Sequence, residues 1–110
     1  MCGFNVNLNL SSSKISKNFF RKATKFIENR GPDKTTYYFD KKISIAFCKL
    51  SITDFTNKSD QPFFSQDKKS ILVYNGMIYN YKDLKKKYFT KINFRTNSDT
   101  ELLINLIYLK

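Results

Sequence analysis

The sequence has no histidine and no tryptophan, and only two cysteines, Cys2 and Cys48. Without histidine the commonest general base of enzymes is missing. Two thiols and no imidazole also fall short of an ordinary four-ligand zinc site, so no metal is expected. Any cysteine chemistry must therefore take its base from elsewhere. No run of about 18 apolar residues is present, which predicts no transmembrane helix and no membrane partner. The opening "MCGFNVNLNL" lacks a basic stretch followed by a long apolar one, so no secretory leader is expected. These features place the chain in the cytoplasm, where both thiols stay reduced.

Acidic residues are also scarce, with 9 Asp and Glu against 20 Lys and Arg and a net charge of +11. Such a balance suits nucleic acid or anionic surfaces when the charge is gathered on one face. Here the lysines are scattered, and only three arginines are present. The chain is also rich in Asn, Ile, Phe and Tyr, the set that A/T-rich codons supply. "KKK" at 85–87 reads as a solvated helix face. A basic nucleic-acid-binding module remains an alternative, not the expected function. What is plentiful is apolar: 41% hydrophobic and 16% aromatic residues exclude disorder. A chain of 110 residues suffices for one small domain with a core.

Residues 2–10 alternate, with Phe4, Val6, Leu8 and Leu10 on one parity, and predict a strand with one buried face. "SSSK" offers helix-start serines. Ile15, Phe19, Ala23 and Phe26/Ile27 recur at helical spacing up to "NRGP". There Gly31 suits a left-handed cap and Pro32 blocks continuation. Residues 35–40 and 43–52 are β-branched and aromatic and predict two strands around a turn at Asp40-Lys41-Lys42. Residues 54–69 read as a long loop. "ILVYNGMIYN" reads as strand, Asn75-Gly76 turn, strand. "YKDLKKKY" predicts a short helix with Leu84 and Tyr88 on one face, and a second helix starts at Ser98. The fold class is thus α+β with a largely antiparallel sheet. The last helix, "ELLINLIYLK", is the most apolar; either the chain is a fragment or this helix covers its own sheet.

Cys2 stands out. Removal of Met1 is sterically permitted before a small side chain, and Cys2 would then carry a thiol and a free α-amine on one residue. The amine, with a pKa of about 7.7–8.0, is partly neutral near pH 7. Nucleophile and base would sit together, which is one way to run cysteine chemistry without histidine.

"MCGF" (1–4), "RGPD" (30–33), "KLSITD" (49–54), "QP" (61–62), "NGMIYNY" (75–81) and "SDTELL" (98–103) follow one another in this order. Together they resemble the glutaminase domain of class II glutamine amidotransferases. Within that group they are most similar to asparagine synthetase, whose motifs run CGI, RGPD, RLSI-D, QP, NGEIYNY and SDTE. The resemblance spans residues 1–110 but only about the first half of that domain, and none of the synthetase domain that follows it. It implies an N-terminal-nucleophile hydrolase-like αββα sandwich of antiparallel sheets with outer helices, here incomplete. It implies glutamine as substrate, with Cys2 attacking the side-chain amide and the Cys2 amine as base. The Asn75 side chain and the Gly76 N–H would form the oxyanion hole. Lys49, Leu50, Ile52, Asn75, Met77 and Asp99 would line the glutamine site, Asp99 taking the α-ammonium.

"SDTE" also reads as a capping box, with Ser98 at N-cap and Glu101 at N3. "RGPD" reads as a helix stop and turn without chemistry. Three positions depart from the family pattern. Lys49 replaces the arginine that clamps the substrate carboxylate, and a lysine cannot form the planar two-bond fork. Met77 replaces the glutamate of "NGEIYNY". Cys48 replaces a histidine and reads as a core thiol. ATP and magnesium would belong only to a missing synthetase domain or a subunit supplied in trans, since no pyrophosphate-binding Gly/Ser-rich loop occurs here. The alternative within the family is a truncated, inactive homologue.

Overall fold

The computed structural model describes residues 1–12, 14–51 and 57–109. The chain divides into two compact units, Met1–Ser51 and Ile52–Lys110. Both contain helices and antiparallel strands, so the α+β class holds.

The first unit is a three-stranded antiparallel sheet with one helix. Strand β1 (Gly3–Leu8) pairs with β3 (Ile43–Lys49), which pairs with β2 (Lys34–Phe39), giving the order β1-β3-β2. Gly3 lies opposite Cys48 and Leu8 opposite Ile43. Strand β3 is buried from Ser44 to Cys48, as expected of a central strand flanked on both edges. The Asp40 carboxylate forms the predicted β2–β3 turn by accepting from the backbone N–H groups of Lys42 (2.6 Å) and Ile43 (2.8 Å).

Those two bonds, Lys42 first, hold the Asp40 carboxyl below its ordinary value. A carboxyl depressed in the folded state stabilises it above the unfolded pKa, about 3.9 for Asp. That contribution is lost as the pH falls through the lower folded value. Thermal melts on Asp40→Asn should therefore show a shallower loss of Tm below about pH 4 than the parent. Parallel acid limbs for the two proteins would contradict this role.

Helix α1 (Lys17–Thr24) starts later than "SSSK" suggests. Its N-cap is Ser16, whose hydroxyl accepts from Phe19 N–H at 3.1 Å. The late start shifts the buried stripe from Phe19 and Ala23 to Phe20 and Thr24, and Phe19 is exposed. Phe20 meets Phe39 edge to face at 5.7 Å. Ile15 precedes the helix. Lys25–Arg30 continue as a tighter 3-10 turn.

Gly31 does not take a left-handed cap; its φ is −141°. Its reason is proximity instead, because a Cβ built there would overlap the backbone carbonyl of Cys48. Strand β1 also differs from expectation. The helix lies on its polar side, where Asn5 donates to Thr24 Oγ1 at 3.3 Å. The apolar parity is the open one, with Phe4 45%, Val6 40% and Leu8 58% exposed.

The second unit contains a short hairpin and two helices. Strands β4 (Phe63–Phe64) and β5 (Ile71–Leu72) pair antiparallel, with Phe63 opposite Leu72. Strand β4 thus falls inside the segment read as loop, whereas β5 lies in the first strand expected of "ILVYNGMIYN". The hairpin tip is closed by Ser65 and Asp67, with Lys68 at φ 58°. Residues 54–56 of the segment read as loop lie outside the described residues. The strand expected after Asn75-Gly76 is absent among the described residues, and Gly76 has no positive φ, so the primed turn does not form.

Helices α2 (Tyr81–Tyr88) and α3 (Asp99–Tyr108) occur as predicted. On α2, Leu84 is half-buried and Tyr88 exposed; the deep residue is Phe89, just past the helix, against Phe94 at 5.6 Å. On α3, Leu102 and Ile104 are buried. No described helix is long and apolar enough to cross a membrane.

Candidate functional site

The candidate residues fall in both units, so each set is described within its own unit.

In the first unit, Cys2 precedes β1 and is half-buried. Its sulfur accepts from Leu50 N–H at 3.3 Å and approaches Leu50 O at 3.5 Å. Although it is only the second residue, Cys2 is thus tied to the end of β3 by the adjoining β1–β3 ladder. Lys49 closes β3, and by strand alternation it shares the face of Phe47 and Phe4.

"RGPD", given no chemistry by the sequence, builds this corner. Arg30 Nε donates to Cys2 O at 3.4 Å. Gly31 lets the chain pass against Cys48. Asp33 N–H donates to Lys49 O at 3.0 Å, and the Asp33 carboxylate accepts from Ser51 N–H at 2.7 Å. The backbone that meets Cys2 is therefore bracketed from Lys49 to Ser51. Ile52 lies outside the described residues.

Cys48 is fully buried. Burial pushes its thiol up, partly offset by a hydrogen bond from Thr35 Oγ1 at 3.7 Å. A thiol raised in this way resists ionisation at neutral pH, which suits a packing role.

In the second unit, Asn75, Gly76 and Met77 form an exposed turn. It is anchored on both sides. The Gln61 side chain accepts from Tyr74 N–H and donates to Tyr74 O at 3.0 Å. Half-buried Asp99 accepts from Ile78 N–H at 2.8 Å through Oδ2. One Asp99 oxygen is therefore already engaged. The Tyr74 hydroxyl is pushed up by burial and then by the Asp99 carboxylate, so the phenol stays protonated and neutral beside it. The Tyr74 ring also packs over Gly76, where a Cβ would come within 2.6 Å of the phenol oxygen.

The capping box is only half realised. Ser98 caps α3 by accepting from Thr100 N–H at 3.1 Å. Glu101 does not return to the N-cap. Its buried carboxylate accepts from Arg95 N–H (2.9 Å), Thr96 N–H (2.7 Å) and Thr96 Oγ1 (2.7 Å). Ser98 N–H is taken by Thr96 Oγ1 at 3.2 Å, which leaves Glu101 to serve the loop before it.

Among the described residues, no group of three or more Cys, Asp or Glu side chains is arranged to hold a metal. A cavity of about 540 Å³ runs along α2 and is lined by Tyr81, Lys85 and Phe89 among others; it includes none of the sequence-predicted site residues. Several basic side chains lie over aromatic rings of their own unit. The Arg21 guanidinium sits 4.2 Å from the Tyr37 ring centre and Lys85 Nζ 4.2 Å from that of Phe94.

Comparison with known proteins adds a family. A profile described as "Glutamine amidotransferase domain" matches residues 1–110. Asparagine synthetase (glutamine-hydrolyzing) 2 of Bacillus subtilis strain 168 is 37% identical over 109 residues, covering 96% of this chain and 14% of that protein. Asparagine synthetase B (glutamine-hydrolyzing) of Escherichia coli K12 is 35% identical over 83 residues, 76% of this chain and 15% of the relative. Asparagine synthetase (glutamine-hydrolyzing) 1 of Arabidopsis thaliana is 32% identical over 107 residues, 96% of this chain and 18% of the relative. The chain therefore spans less than a fifth of the length of these curated relatives, and it matches their N-terminal part.

Proposed function

The chain belongs to the glutamine amidotransferase domain family, and from that membership we propose that Cys2 hydrolyses the side-chain amide of glutamine. Met1 is removed, and the freed Cys2 amine accepts the thiol proton. The sulfur attacks the amide carbon, and the carbonyl oxygen gains charge towards the Asn75 side chain and Gly76 N–H. The C–N bond breaks, ammonia leaves with a proton returned by the amine, and a thioester remains. Water then cleaves the thioester to release glutamate and restore the thiol. Lys49 meets the substrate carboxylate as a point charge, and Asp99 meets its ammonium through the oxygen that Ile78 leaves available. Leu50 and Ile52 lie in the same segment as Lys49, and Met77 follows the donor glycine; these complete the glutamine site.

The observation that carries this reading is the seating of Cys2. Its sulfur is held on Leu50 by the β1–β3 ladder and the "RGPD" corner rather than left on a loose end.

The αββα sandwich belongs to the same proposal. The exposed apolar parity of Phe4, Val6 and Leu8 supports a second sheet from the rest of the domain covering that face. The same surface favours the second reading, a chain inactive until that sheet is supplied. Ammonia would go to a synthetase domain or subunit that forms an amide on aspartate or a similar acid. ATP and magnesium would act there, outside these residues, in the cytoplasm.

Glutamate and ammonia release from glutamine by the full chain tests the proposal. Equal release of both products supports it, and no release contradicts it for this chain. Asp99→Asn refines the test, because asparagine keeps an acceptor for Ile78 N–H but removes the charge. A charged hydrogen bond is worth about 1.5–3 kcal/mol, so KM for glutamine should rise roughly 10- to 100-fold with kcat far less changed. An unchanged KM would remove Asp99 from substrate binding.

A further inference from the structure

Gln61 is buried, 7% exposed, and its amide is held in a short circuit of hydrogen bonds. Oε1 accepts from Tyr74 N–H, while Nε2 donates to Tyr74 O at 3.0 Å and to Thr100 Oγ1 at 3.3 Å. One side chain thus satisfies both backbone groups of Tyr74, as a neighbouring strand would in an antiparallel pair. Tyr74 is the residue directly before Asn75. Thr100 is the residue directly after Asp99, and its own N–H is held by the Ser98 cap. On the far side of the turn, Ile78 N–H closes onto Asp99. The result is a ring running from Gln61 to Tyr74, through Asn75-Gly76-Met77 to Ile78, across to Asp99 and Thr100, and back to Gln61.

We propose that Gln61 is a positioning residue that fixes the Asn75-Gly76 turn relative to Asp99 through Tyr74 and Thr100. It touches no reacting atom. It acts by denying the turn the freedom that its exposed position and missing second strand would otherwise give. The exposed Asn75-Gly76-Met77 backbone has no strand partner among the described residues. Both of its ends are bonded, and Gln61 holds the first. The primed hairpin that Asn-Gly favours would need positive φ, and the two anchors keep the chain out of it. Preorganised donors are effective only while held where charge will develop.

The catalytic consequence rests on the glutaminase reading; the clamp itself does not. Two measurements separate them. Gln61→Met keeps the length and removes these three bonds. In hydrogen exchange on the full chain, the Tyr74 amide of the parent should exchange about 100-fold more slowly than in Gln61→Met, while the Ala46 and Phe47 amides stay protected in both. In glutamine hydrolysis, kcat should fall about 10²-fold with KM for glutamine within a few-fold, the split expected when a transition-state donor is displaced.

Gln61→Glu keeps the acceptor for Tyr74 N–H but loses the donor. It should retain part of the Tyr74 protection, and it also decides the matter if Gln61→Met loses protection throughout the chain. Equal Tyr74 exchange in the parent and both variants would overturn the clamp. An unchanged kcat in an active parent would overturn its positioning role. A parent without turnover defeats the catalytic reading, while exchange at Tyr74 still decides whether Gln61 holds the turn.

Discussion

Cys2→Ala is expected to abolish glutamine hydrolysis, a loss of at least about 10⁴-fold, or about 5.5 kcal/mol of barrier. The size follows from chemistry rather than packing. No other described thiol can substitute, because Cys48 is fully buried and its ionisation is opposed by that burial. No histidine exists anywhere in the chain to activate a water instead. The fold should survive the change. Cys2 lies outside β1, and the bonds between its sulfur and Leu50 are weak. Thermal unfolding of Cys2→Ala should therefore match that of the parent closely while ammonia release disappears. Activity retained at even a tenth of the parent rate would end the case for Cys2 as nucleophile. A collapse of stability in step with activity would turn Cys2 into a structural residue.

The second large effect is structural. Gly31→Ala should cost about 3 kcal/mol or more, at the upper end of what overpacking usually costs. The new methyl would overlap backbone atoms, the Cys48 carbonyl and the Lys49 nitrogen, which cannot swing aside as a side chain would. Strand β3 would have to move, and it carries the central ladder and leads directly into Leu50, which meets Cys2. Gly3→Ala is the natural control. A Cβ there would lie 3.4 Å from the flexible Arg30 Cδ, so the change should cost less than about 1 kcal/mol. Urea unfolding of the two variants checks the contrast. Equal midpoints would show that the Gly31 approach is not what fixes this corner.

Much of the first unit was legible in the sequence because its signals are local and agree with one another. The β-branched runs at 35–40 and 43–52 cover most of β2 and all of β3, which ends at Lys49, and Asp40 closes the turn between them. The face of β1 was misread for a physical reason. Alternation reports that Phe4, Val6 and Leu8 share a side, but not which side receives the helix. Ser16 rather than an earlier serine caps α1, and that choice sets the phase that brings Thr24 to Asn5.

In the second unit, tertiary bonds override local preference. Asn75-Gly76 is a strong hairpin signal taken alone, but Gln61 and Asp99 occupy the backbone groups on both sides of it. The capping box is a similar case. Ser98 obeys the local rule, whereas Glu101 answers the free N–H groups of Arg95 and Thr96. The role of "RGPD" was out of reach, since the close approach of Gly31 to Cys48 joins positions far apart in the chain. Cys2 stands out by its own chemistry, whereas the roles of Asn75, Gly76 and Asp99 follow from the order of motifs and not from composition or periodicity.

The central claim is that the mature chain begins with Cys2 and that its sulfur takes the glutamyl group. Intact-mass measurement of the purified full chain, before and after mixing with glutamine and quenching in acid, tests it most directly. The account predicts a chain lighter by one methionine, and a glutamyl adduct confined to the peptide beginning at Cys2 and absent from Cys2→Ala. Retention of Met1, or an adduct on any other residue, would contradict it.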